Sequence, residues 1–253
     1  MILASLLFYL SLHLADKPIL IGPVEIHTAI GDGMFPSSWQ GGDVSAKATP
    51  IAATEIERSL RLVKHALAKY PTSLLKSDLK KIYLVREMFF YGLPYGGTNS
   101  LDTLYICNEG IRKGFTDSYV EGSVYHEFSS ILLRNYESLW KQADWTAANP
   151  KGFQYLGNGT DAVRVGATSL NRDPKLYPLG FLTTYSKASV EEDFNVMSES
   201  LFMGGDGFWK AVDKYEPLRR KCKAAVAFYG KIAPQFTESW FRKQASGRPA
   251  SRG

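Results

Sequence analysis

The chain is short of cysteine, of histidine and of long apolar runs, and each shortage removes a class of protein. Two cysteines in 253 residues, Cys107 and Cys222, exclude a disulfide-dense scaffold and a thiolate zinc cluster. No apolar run reaches the length of a conventional membrane-spanning helix. Thirty basic residues stand against 25 acidic ones. They are scattered rather than clustered, so the mild excess carries no nucleic-acid-binding signature. What is present is apolar: 45% hydrophobic and 13% aromatic residues are too many for a disordered chain. The length allows one large domain or two small ones, burying roughly three quarters of the unfolded surface.

Met1–Ala15 (MILASLLFYLSLHLA) has the apolarity of a signal-peptide core and is too short to span a membrane. It lacks a basic leading region, and His13 sits poorly for cleavage after Ala15. A buried first strand or helix is the alternative; export to a periplasmic, envelope or secreted location is the expectation. Asn158-Gly159-Thr160 fits a glycosylation sequon, a triplet that arises often by chance.

Residues 16–53 are rich in Gly, Pro and Ser and read as an irregular leader, with a short strand at Ile19–His27. Thr54-Glu55-Ile56-Glu57 matches a capping box, and Ile56, Leu60, Val63 and Leu67 continue at helical spacing until Tyr70-Pro71. Lys81–Tyr91 and Thr103–Cys107 have the β-branched and aromatic content of strands, separated by a turn-rich Gly92–Ser100. Ser118-Tyr119-Val120-Glu121 opens a long helix with Val120, Val124, Phe128, Ile131 and Leu132 on its apolar face. Ala143–Tyr177 reads as a long irregular connection, and such connections are usually functional or mobile. A third capping box, Ser189-Val190-Glu191-Glu192, starts a helix through about Met203. A last helix from Pro217 is expected to bury Leu218, Cys222, Val226 and Tyr229, and Ser246–Gly253 reads as a disordered tail. No internal repeat or linker is evident. The fold class is α+β, with residues 16–245 as a single domain.

The residues that carry chemistry lie in Tyr125-His126-Glu127-Phe128-Ser129-Ser130. A zinc peptidase places two imidazoles at i and i+4 of one helix, with a glutamate after the first to activate the metal-bound water. Here the first histidine and the glutamate are present and Ser130 stands at the second position. On its own, His126 is more economically a satisfied histidine than a ligand. The Ser189 box puts Glu192 in the first turn of a later helix, where a carboxylate either serves a site or simply caps the helix.

From about Thr54 to Ile232 the chain resembles the zinc-binding metallopeptidases of the zincin superfamily, in the gluzincin manner. The resemblance rests on the helix ending in Tyr70-Pro71, on KIYLV and TLYI, and on HEF at His126–Phe128. It continues through GF and TYS within Gly180–Ser186, EDF at Glu192–Phe194, and KYEPLRRKCKAAVAFY at Lys214–Tyr229. It implies a short mixed sheet packed on an active-site helix, with a cleft between that helix and the Glu192 segment. His126 would be a first zinc ligand, Glu127 the general base, Glu192 the downstream carboxylate ligand and Tyr185 an oxyanion stabiliser.

The family reads HEFxH and EDFAE, and this chain departs from both. Ser130 replaces the second histidine, and Asn195-Val196 replaces Ala-Glu. Neutral serine is a poor zinc ligand, and catalytic zinc takes three protein ligands and an open position. His27, in a leader that could fold back, and His65, on a helix face beside Lys64, are the other imidazoles considered. A water held by Ser130 would give a labile site. Zinc is therefore the implied cofactor and its retention is in question.

Three functions follow. One is a degenerate zincin kept as a binding or structural module, holding a peptide, protein or glycan among Tyr125, Phe128 and Tyr185. Another is an active zinc peptidase with an unidentified extra ligand, and the third a metal-free acid/base pair of Glu127 and Glu192. Ser129 and Ser130 lack a nucleophile elbow, and Cys107 reads as an inert buried thiol. Phe202, Met203 and Phe208 read as core, and Arg242, Lys243, Arg248 and Arg252 as a solvated tail.

Overall fold

The computed structural model describes residues 17–157, 159–167 and 169–246. The export segment Met1–Ala15, the sequon's Asn158 and tail positions 247–253 lie outside the described residues. The α+β class holds: one mixed sheet is accompanied by helices concentrated in the second half of the chain. Two compact units divide at Val124/Tyr125.

The first unit is built on strand β4, Lys81–Phe90. Its first half lies between two parallel neighbours, β2 (Val24–His27) and β7 (Thr103–Cys107). Strands buried on both faces read as continuous apolar runs, which is why KIYLV and TLYIC lack alternation. Register pairs Tyr83 with Tyr105 and Val85 with Cys107 on one face, and Ile82 with Leu104 and Leu84 with Ile106 on the other. All eight side chains are buried.

The expected strand Ile19–His27 is instead a hairpin, β1 (Ile19–Ile21) and β2, turned at Gly22 with φ 60°. The outer half of β4 pairs with β3 (Lys47–Pro50) and β5 (Leu93–Tyr95), and β6 (Gly97–Ser100) pairs with β7. The segment expected to be only turns therefore supplies two short strands. Cross-strand pairing overrides the low strand propensity of Pro94, Gly97 and Asn99.

Helices α1 (Ala53–Leu67) and α2 (Thr72–Asp78) complete the unit. The Thr54 capping box is not used. The N-cap is Ala52, with no side-chain cap, and Glu55 instead accepts from Arg58 Nε at 2.7 Å and Asn108 Nδ2 at 3.1 Å. Asn108 also bonds Ser59, so α1 is fastened to the end of β7.

Helix α3 (Asp117–Asn135) carries the division point. It starts one residue before Ser118, and Thr116 Oγ1 accepts from the Tyr119 amide, so Thr116 takes the expected capping role. In the second unit, α4 (Gln142–Thr146) and α5 (Gly159–Arg164) fall inside the expected irregular connection. Then come α6 (Val190–Met203), α7 (Asp206–Lys214), α8 (Glu216–Ile232) and α9 (Glu238–Ser246).

Helix α8 is thus not the last, and its Val226 is only half-buried while Lys221 is fully buried. The α6–α8 core is aromatic, with Phe194 against Trp140, Trp145 and Phe228, and Phe202 against Tyr125, Tyr229, Phe236 and Phe241. Truncating a buried phenylalanine such as Phe194 to alanine removes about 3–5 kcal/mol. Among the described residues no helix is long and apolar enough to cross a membrane.

Candidate functional site

Two helices of the second unit bring the expected residues together. Ser189 caps α6 as its sequence pattern predicts, its Oγ accepting from the Glu192 amide at 3.0 Å. This sets Glu192 in the first turn and directs it at His126 on α3. His126 Nε2 lies 2.9 Å from Glu192 Oε2, and the other carboxylate oxygen accepts from Tyr185 Oη at 2.8 Å. The Tyr185 and His126 rings lie parallel, 6.1 Å between centroids. His126 and Glu192 therefore meet directly.

The opposite imidazole nitrogen is also engaged. Nδ1 lies 3.5 Å from Glu199 Oε2, two helical turns beyond Glu192 on the same face of α6. Sequence reasoning missed Glu199, although its seven-residue spacing from Glu192 was the available signal. Burial alone would lower the His126 pKa. The bonds to Glu192 and Glu199, with the charges of Glu192 and Glu127, outweigh it and hold the imidazole well above its ordinary value. Burial likewise pushes Glu192 up, and His126, Tyr185 and Asn195 bring it below the usual carboxylate range. The result is an imidazolium between two carboxylates, 8% exposed. Glu127 follows His126 on α3, half-buried.

Ser130 is partnered by Asn195. Its Oγ accepts from Asn195 Nδ2 at 2.8 Å, and Asn195 Oδ1 lies 2.6 Å from Ser129 Oγ. Asn195 is 2% exposed, and because its side chain also bonds Glu192 it links the two serines to that carboxylate.

Asp193, the second residue of EDF, turns away from the histidine. Its Oδ2 accepts from Lys221 Nζ at 2.6 Å, Tyr155 Oη at 2.8 Å and Trp145 Nε1 at 2.9 Å. Lys221 also donates to the Gly180 carbonyl at 2.8 Å, and its ammonium lies 4.0 Å from the Phe181 ring centroid. The GF and EDF segments are thereby pinned together behind the site. At its rim, α5 begins so close that a Cβ on Gly159 would lie 2.7 Å from Glu192 Oε1 and 2.8 Å from Tyr185 Oη, so a larger residue there would displace those side-chain ends.

A zinc ion does not fit this donor set. Nε2 and Glu192 could offer two donors, and Glu199 on Nδ1 matches the carboxylate that orients a metal-bound histidine. Glu199 and Glu192 address opposite ring nitrogens, so both cannot join that ring around one ion. The third position carries a neutral hydroxyl engaged by Asn195. Among the described residues no group of three His, Cys, Asp or Glu side chains is arranged to hold a metal. His27 stacks on Tyr83 at 4.7 Å and contacts Glu25, and the half-exposed His65 bonds Glu121, so the two other imidazoles considered have partners of their own.

No family model and no curated protein matches this chain. Among solved structures it is similar to a candidate zinc-binding metallo-peptidase from Bacteroides caccae. The two share 16% identity and superpose with a TM-score of 0.56, over 90% of this chain and 86% of that one. At that identity the likeness is one of fold.

Proposed function

We propose that this chain is a zincin-like protein in which an internal charge cluster stands where a catalytic zinc would be, and that it serves as a binding or structural module for a peptide or protein segment. The observation that carries this reading is the Glu192–His126–Glu199 cluster beside the Ser130–Asn195 hydrogen bond. Protonated His126 supplies the positive charge that the flanking carboxylates need, so the centre is electrostatically satisfied from within. Export through Met1–Ala15 belongs to the same proposal and is read out by amino-terminal sequencing of the mature protein.

One observation favours a second reading, an active zinc peptidase with Glu127 as base: Glu199 lies where an orienting carboxylate would lie. Turnover of a fluorogenic peptide library by zinc-supplemented protein separates the two. The binding-module reading predicts no cleavage above that of the Glu127→Gln variant. Chelator-sensitive cleavage that Glu127→Gln abolishes overturns it.

A further inference from the structure

Along the sequence the basic residues are scattered, but the last helices hold their excess. Helices α7–α9 carry nine of the 30 lysines and arginines and four of the 25 aspartates and glutamates, so the rest of the chain is balanced at 21 of each. The formal net charge of +5 therefore belongs to these helices. Three of their four carboxylates are already committed to arginines of the same helices: Asp213 and Glu238 to Arg242, and Glu216 to Arg219. Lys221 is buried against Asp193.

What remains is densest on α8. That helix buries Leu218, Cys222, Ala225 and Tyr229, and leaves Arg220, Lys223, Ala227 and Lys231 exposed. Those four stand at i, i+3, i+7 and i+11, one row about 16 Å long. Lys231 donates to the Leu139 carbonyl at 3.3 Å, and none of the three cations is ion-paired among the described residues. Tyr215 alone joins α8 to α7, which packs on it and exposes Lys210 and Lys214 one turn apart. A row of unneutralised cations along a helix suits an extended anionic partner. Single-stranded nucleic acid is held by rings that stack on its bases, and the rings of α8, Phe228 and Tyr229, are buried. A plane of lipid phosphates needs only the charge that this row supplies. We infer that the exposed face of α8 docks the protein on an anionic phospholipid surface, independently of the His126 centre.

The test is co-sedimentation of the full chain with vesicles of phosphatidylglycerol and phosphatidylcholine in equal parts, beside vesicles of phosphatidylcholine alone. Binding to the anionic vesicles only is expected, weakened about fivefold for each cation removed by Arg220→Ala and Lys223→Ala. About 1 M salt, which screens charges beyond about 3 Å, should abolish it. Both residues are exposed, so the variants leave the core intact. Arg112→Ala with Lys113→Ala removes the same charge from an exposed turn of the first unit and should leave binding unchanged. No sedimentation with anionic vesicles, or equal sedimentation with both kinds, overturns the inference. So does a control pair that weakens binding as much as the α8 pair, or a DNA duplex that strips the protein from the vesicles.

Discussion

Asn195 Nδ2 donates a 2.8 Å hydrogen bond to Ser130 Oγ, so the two places where the chain leaves the HEFxH and EDFAE patterns are partners in one buried contact. A serine on α3, where the resembled pattern has an imidazole, contacts an amide on α6, where that pattern has alanine. Residues in contact are expected to couple, so a change at one is read together with the other.

Ser130→His alone meets the Asn195 amide and should be overpacked, losing about 1–3 kcal/mol of stability with little gain in zinc affinity. Ser130→His with Asn195→Ala restores both space and imidazole, and should bind zinc at least tenfold more tightly than either single variant. Competition titration with a chromophoric chelator measures this. Equal affinities in the single and double variants would count against the coupling.

The charge cluster gives stability a defined pH window. His126 is raised from its ordinary 6.5, so its contribution is complete below that pH and is lost progressively as pH climbs to its raised value. Glu192 is lowered from 4.5, so its contribution is complete above that pH and fades as pH falls to its lowered value. Urea midpoints across a pH series should therefore decline on the alkaline side, and His126→Gln should flatten that decline. An identical alkaline slope in both proteins would show that His126 is not the group responsible.

Lys221 and Asp193 form a buried pair in which burial lowers the lysine and raises the aspartate, both toward neutrality. Close contact with Trp145 and Tyr155 around Asp193 offsets that penalty. Lys221→Met leaves the carboxylate uncompensated and should lose about 3–5 kcal/mol in urea unfolding, with much of it recovered by adding Asp193→Asn. A single variant as stable as the parent would mean the pair contributes nothing net.

Both cysteines are buried and neither is in a disulfide, and burial pushes the Cys222 thiol up to about 12. Ellman's reagent at mildly alkaline pH should label neither in the folded protein and both after unfolding. Prompt labelling of the native chain would contradict the buried placement of α8 or β7.

Much of the scaffold was legible because its signals are local. KIYLV and TLYIC read as strands, and Ser189 caps α6 through the hydrogen bond its pattern predicts. Where a local pattern was outbid, long-range partners decided. Glu55 left its capping role for Arg58 and Asn108, and β5 and β6 formed because β4 and β7 were there to pair with them. At the site, His126 and Glu192 were read from motif and helix position, and Tyr185 from the family resemblance. Glu199 and the Ser130–Asn195 contact were not, because they depend on how α6 is turned against α3, which no spacing along one strand of sequence reveals.

The central claim, a charge cluster where zinc would be, is tested most directly by elemental analysis of the purified wild-type protein beside His126→Ala and Glu192→Ala. Zinc at background in all three, with folding unchanged by chelation, is the predicted result. Near-stoichiometric zinc in the wild type that falls in both folded variants would contradict it.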